Sequence, residues 1–112
     1  MKFSGFDVYE GEHFTKELKR LSKKYKNIKK DCKAFVDSIE DTSSLGVDMG
    51  GGLYKARIAN SDKNKGKSAG HRLISYIKVI ESEIWLVHIY DKSELENITE
   101  NKLDEIVKKL FL

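Results

Sequence analysis

Between Leu53 and Tyr90 the apolar positions fall in three segments with a period of two, the period of strands whose side chains point alternately to opposite faces of a sheet. In the first, Tyr54, Ala56 and Ile58 share a face and Lys55 and Arg57 fall on the other. In the second, Leu73, Ser75, Ile77 and Val79 share a face, opposite Arg72, Ile74 and Tyr76. In the third, Trp85, Val87 and Ile89 are opposed by Leu86, His88 and Tyr90, and Glu81-Ser82-Glu83 joins the last two strands as a short hairpin. One face of this sheet is mostly apolar and is expected to carry a core. The other collects Lys55, Arg57, Arg72, Tyr76, His88 and Tyr90, a cationic and aromatic surface.

The pattern changes on either side of this unit. Phe6-Asp7-Val8-Tyr9 reads as a short strand at or near a sheet edge, ended by Gly11. From about Glu12 to Tyr25, Phe14, Leu18, Leu21 and Tyr25 recur at helical spacing, with lysines and Arg20 between them. Ile28, Cys32, Phe35, Val36 and Ile39 form the stripe of a second helix, about Asn27 to Glu40. The short connection between the two predicts an antiparallel helical hairpin. Asp41 to Gly46 stops the second helix, and Gly50-Gly51-Gly52 reads as a flexible approach to the sheet; no Gly-Lys-Ser/Thr follows, so it is not a P-loop. Near the end, Leu103, Ile106, Val107 and Leu110 share the face of a helix over about Thr99 to Leu110, with Thr99 as its N-cap. The predicted fold is α+β in the order β-α-α-β-β-β-α: an N-terminal strand and helical hairpin packed on a small antiparallel sheet, then a C-terminal helix. A chain of 112 residues suits one domain, over residues 1–112.

Composition narrows the class. Charged residues are 35% and hydrophobic residues 39%, as in a globular protein rather than a disordered one. No apolar run approaches the roughly 20 residues of a membrane span, and Met1-Lys2-Phe3-Ser4-Gly5 is not an apolar signal segment, so a cytoplasmic protein with no membrane partner is expected. Cys32 is alone and reads as a buried structural thiol, and no Cys/His cluster has metal-ligand spacing; no metal or cofactor is expected.

The net charge of +3 conceals an uneven distribution. Lys16 to Lys33 holds nine basic and two acidic residues, Leu53 to Lys78 seven and one, whereas from Asp91 to Glu105 acids outnumber bases six to two. Many of the helix lysines read as a solvated face. On the sheet, and in the loop carrying Lys63, Lys65 and Lys67, the asymmetry points to a polyanion, with the loop lysines as contacts to a phosphate backbone. Arg72 stands out, because an arginine within an apolar strand is costly unless solvated or paired. His71 points to the opposite face and reads as structural or loop-exposed; His13 reads as a surface residue and Trp85 as a core residue.

Three stretches carry a resemblance: Gly52-Leu53-Tyr54-Lys55-Ala56-Arg57-Ile58, the run Lys65-Gly66-Lys67-Ser68-Ala69-Gly70-His71-Arg72-Leu73-Ile74-Ser75-Tyr76, and Leu86-Val87-His88-Ile89-Tyr90-Asp91-Lys92-Ser93-Glu94. With the order of elements, they resemble the RelE/ParE superfamily of bacterial toxins, and most of all its HigB-like or RelE-like members. The resemblance implies the toxin of a type II toxin–antitoxin module: an endoribonuclease that enters the ribosomal A site on the 30S subunit, cuts mRNA there and so inhibits translation. It implies a cognate antitoxin that neutralises the toxin, and operator DNA reached only through the antitoxin complex. By position, Lys55 and Arg57 match the basic pair of the first central strand, Arg72 the arginine that begins the next, and Lys92 the basic residue just after the last. The chain departs from the pattern at Ile98, which stands where RelE has a tyrosine, and it has no late histidine of the kind some HigB-like toxins use.

Cutting RNA through its 2′-hydroxyl requires that the hydroxyl lose a proton, that the extra charge on the phosphorane be stabilised, and that the departing 5′-oxygen gain a proton. Arg57 and Arg72 suit the charge, since guanidinium grips phosphate oxygens in pairs. Lys55 suits the same charge or the 2′-hydroxyl proton. Tyr76, His88 and Tyr90 suit stacking on splayed bases, and His88 also proton transfer, because imidazole titrates near neutrality. Two other functions are compatible with these residues: a gyrase inhibitor like the ParE branch, and a nucleic-acid-binding module without catalysis. For regulation, an antitoxin segment with acidic and apolar contacts is expected to cover the basic face or displace the terminal helix.

Overall fold

The computed structural model describes residues 2–3, 5–62, 70–94 and 98–111, with the backbone alone for Lys2 and Phe3. Strand β1, Lys2–Phe3, and strand β2, Phe6–Glu10, form a small hairpin. Helices α1, Glu12–Ser22, and α2, Ile28–Asp37, follow. A 3-10 turn, Thr42–Leu45, leads to β3, Val47–Gly50, then β4, Leu53–Ile58; β5, His71–Lys78; and β6, Glu83–Asp91. A second 3-10 turn, Lys92–Glu94, and helix α3, Glu100–Phe111, complete the chain. The strands form one sheet in the order β1-β2-β6-β5-β4-β3, antiparallel except where β2 runs parallel to β6.

The sheet is wider than the sequence pattern indicates. The glycine run is not a loose approach: β3 pairs with β4 through a tight hairpin whose two turn residues, Gly51 and Gly52, both have positive φ, the conformation that two-residue hairpin turns require. Before it, the chain crosses β4 so closely at Gly46 (φ +98°) that a Cβ there would lie 2.1 Å from the carbonyl oxygen of Lys55. Both the dihedral and the space exclude a side chain. Gly46→Ala is therefore expected to cost about 3 kcal/mol or more, read as a lowered urea midpoint at unchanged slope.

Helices cover both faces. The hairpin of α1 and α2 buries Phe14, Leu18, Leu21, Ile28 and Cys32 against Ile58, Leu73, Leu86 and Ile89. Burial pushes the Cys32 thiol up to about 12, consistent with an inert core position. Helix α3 buries Leu103 and Ile106 against Leu53, Ile74 and Val87 on the opposite face, and Thr99 caps it by accepting the Lys102 N–H at 3.1 Å. Ile98 packs into this second core. Among the described residues no helix is long and apolar enough to cross a membrane.

Strand β6 departs from simple alternation. Its register with β5 shifts between Ile74, opposite His88, and Ser75, opposite Leu86, so Val87 is the extra residue of a bulge. Val87 joins Trp85 in the α3 core, while Leu86 and Ile89 both pack under the helical hairpin. Strict alternation would put Trp85, Val87 and Ile89 together; the inserted residue separates them. Trp85 is half-buried, stacked on Tyr9 at 5.0 Å and edge-on to Phe111 at 5.2 Å.

Candidate nucleic-acid interface

The face that carries α3 is divided. Its half nearer the β5–β6 turn holds the apolar core just described. There Tyr76 lies 5.8 Å from the Phe111 ring, so its ring packs on the terminal helix. The other half lies toward the start of β5 and holds the cations. Arg57 is directly opposite Arg72, and Arg72 directly opposite Tyr90. With neighbouring strands about 4.8 Å apart, the three span about 10 Å. Lys55 sits one row nearer the core, opposite Ile74.

The members of this row differ in exposure. Arg57 is exposed, Lys55 and Tyr90 are half-buried, and Arg72 is 9% exposed, its guanidinium folded back to the carbonyls of Gly70 and His71 at 3.4 and 3.3 Å. Two like charges directly opposite across a strand pair repel one another, an arrangement that an anion between them relieves. An open groove of about 760 Å³ is lined by Lys55, Arg57 and Arg72 together with Phe35 of α2, Ser38 at its C-terminal end and Ser44 of the turn after it. Lys92 is exposed in the turn after β6, where its N–H donates to Gly70 at 3.2 Å. It thus stands at the same end of the sheet as Arg72. Lys63, Lys65 and Lys67 lie outside the described residues.

His88 is on the same face but beneath it, 1% exposed. Strand β2 ends beside Leu86, so α1 rather than a strand flanks β6 beyond that point. Here His13 of α1, half-buried rather than on the surface, meets His88 with 2.8 Å between Nε2 and Nδ1; one ring nitrogen donates and the other accepts. The rings stack at 4.9 Å, and the His88 ring lies 5.7 Å from that of Tyr90. Burial, then the neighbouring His13, lowers the His88 pKa to about 4, with Arg20 acting in the same direction and Glu17 and Glu94 opposing it. His13 is also lowered, chiefly by burial. His88 is therefore neutral at pH 7.

The reverse side of the same sheet end holds a buried polar cluster. His71 and Asp91 are both fully buried, 3.2 Å apart, and His71 is edge-on to Tyr25. Asp91 accepts from the Tyr25 hydroxyl at 3.1 Å, the Asn60 amide at 3.4 Å, the Ser93 N–H at 3.1 Å and the Ser93 hydroxyl. Glu94 then accepts from the Asp91 N–H and grips Arg20 of α1, which holds the Glu94 carboxyl below its usual pKa. Of this cluster, sequence reasoning singled out only His71, as structural or loop-exposed, and Tyr25, as part of the apolar stripe. Asp91 shares the face of Ile89 in β6, but its partners come from distant segments of the chain and meet it only through the packing.

Residues 11–110 match the family described as the RelE toxin of the RelE/RelB toxin–antitoxin system. No curated relative matches the chain. Among solved structures, the fold is similar to a double arginine-to-alanine mutant of the E. coli toxin RelE in the free state, with 15% identity over 95% of this chain and 98% of that one and a TM-score of 0.54. It is also similar to the isolated E. coli RelE toxin, with 17% identity over 95% and 99% and a TM-score of 0.51. At such identities the structures speak for the fold and the family match for the lineage: the chain belongs to the RelE toxin family, and is the toxin of a toxin–antitoxin system whose partner is an antitoxin.

Proposed function

We propose that the protein is a ribosome-dependent mRNA endonuclease, neutralised by its antitoxin. The observation that carries this reading is the row Arg57–Arg72–Tyr90, with Lys55 and Lys92 beside it, on the part of a sheet face that the terminal helix leaves uncovered. The row offers two guanidinium groups to one phosphate and an aromatic ring beside them. When the 2′-hydroxyl attacks, the phosphorane gains negative charge, which Arg57 and Arg72 from adjacent strands would stabilise by paired donation. Lys55 adds to the same field, Lys92 holds a neighbouring phosphate, and Tyr90 stacks on a base turned out of the strand. His88, neutral and buried, supports Tyr90 from below rather than meeting RNA. An antitoxin segment with acidic and apolar side chains suits this surface, since cations border the apolar α3 core.

The test is primer extension on a defined mRNA in a reconstituted translation reaction. Cuts at the A-site codon that depend on the ribosome are expected, with none in naked mRNA. Intact mRNA together with inhibited gyrase would favour the ParE-like reading instead. Salt-dependent RNA affinity without any cutting would favour a binding module.

A further inference from the structure

We propose that Asp91 is a positioning residue for the cationic row, tying together the three chain segments that carry it. This inference rests on the nuclease reading. Its basis is where the Asp91 partners lie in the chain. Asn60 stands just beyond the end of β4, which carries Arg57. His71 immediately precedes Arg72. Ser93 immediately follows Lys92, and Asp91 itself immediately follows Tyr90. Each basic residue of the row is therefore within three residues of a group bound to, or in contact with, one buried carboxylate on the opposite side of the same sheet end.

Physical chemistry explains why such a hub is needed. Arg57 and Arg72 face each other in register, and Lys92 is drawn to the same end by the bond from its N–H to Gly70. Like charges held this close push their strand ends apart. Regular pairing runs only one residue past the row, to Ile58, His71 and Asp91, so little ladder beyond it opposes that push. A buried carboxylate accepting several hydrogen bonds resists that spreading, since losing any partner leaves a desolvated charge less well satisfied. The Tyr25 hydroxyl extends the tie to the α1–α2 connection, and Asp31 of α2 fastens the loop after β4 by accepting from the N–H and hydroxyl of Ser61, each at 3.1 Å. The cluster thus holds the row against the rigid helical hairpin rather than against the sheet alone. Asp91 does not touch RNA in this scheme; it acts through the spacing of Arg57, Arg72 and Lys92.

The test uses the whole protein with Asp91→Asn, which keeps the shape and removes the charge, and Tyr25→Phe, which removes one hydrogen bond to the carboxylate. For Asp91→Asn the cutting rate at saturating ribosomes is expected to fall about 10- to 100-fold, as for misplacement of a reacting group by about 1 Å. The ribosome concentration for half-maximal rate should stay within about threefold, because the charges that bind RNA remain. Tyr25→Phe should show the same split with a smaller loss, and it decides the matter if Asp91→Asn does not fold. In the double variant Asp91→Asn/Arg72→Ala, the loss should be clearly smaller than the product of the two single losses, since Asp91 acts in part through Arg72. A folded Asp91→Asn protein with the wild-type rate, or losses that multiply in the double variant, would overturn the proposal. If the wild type itself does not cut, the nuclease reading fails. Amide exchange then decides the positioning claim separately: residues 70–73 and 92–93 should exchange faster in Asp91→Asn while α3 is unchanged, and equal exchange throughout would refute it.

Discussion

Arg72→Ala is expected to lower the rate of ribosome-dependent mRNA cutting by about 100- to 1000-fold, the range for loss of one preorganised donor to a developing oxyanion. The fold is expected to survive the change, with a stability loss of about 1 to 3 kcal/mol for truncating a mostly buried side chain. Arg72 lies at the centre of its row, with Arg57 on one side and Tyr90 on the other. Its polar hydrogen bonds to Gly70 and His71 are long, at 3.4 and 3.3 Å, and opposed to them stands repulsion from the charge directly across the strand pair. A residue kept for the fold would cost cutting only through stability when truncated, whereas one kept for a phosphate costs rate in protein that stays folded. Thermal melting beside primer extension separates the two: a large fall in melting temperature with proportionate loss of cutting would make Arg72 structural. Arg72→Lys should recover little, since an ammonium does not reproduce paired donation to phosphate oxygens.

The second large effect is on stability in mild acid. His88 is buried against His13, and its pKa is lowered from the ordinary 6.5 to about 4. The unfolded chain therefore takes up this proton before the folded protein does. Stability from the group is complete above pH 6.5, falls as the pH is lowered from 6.5 towards 4, and changes no further below that. The total is about 3 kcal/mol, of which about 2 kcal/mol is lost by pH 5. His13, lowered in the same direction, adds to the loss. Geometry gives the same sign, because a doubly protonated pair offers two donors across the 2.8 Å contact and no acceptor. Urea midpoints at pH 7, 6 and 5 should fall steadily for the wild type. For His88→Gln, which cannot titrate, the decline should be clearly shallower. Equal slopes would mean that the pair does not govern the acid limb.

Much of this protein follows from the sequence taken alone. Period-two alternation located the three central strands, and period-3.6 stripes located the three helices to within a few residues. The charge pattern and the three resembling stretches pointed to Lys55, Arg57, Arg72 and Lys92. These properties are legible because they are local: which face a side chain takes depends on its neighbours in the chain, and a cation among apolar strand residues is conspicuous. Other features were decided only by tertiary structure. Alternation cannot reveal the extra residue at Val87, because a bulge depends on the partner strand, and with it moved the faces of Trp85, Val87 and Ile89. Nor could it show that α3 covers one half of the cationic face and leaves the other half open, which separates Tyr76 from Arg72 and Tyr90. The burial of His88 against His13, and the gathering of Tyr25, Asn60, His71 and Ser93 around Asp91, join residues up to 75 positions apart. Such contacts follow from how helices and strand ends pack in three dimensions, and no local period encodes them.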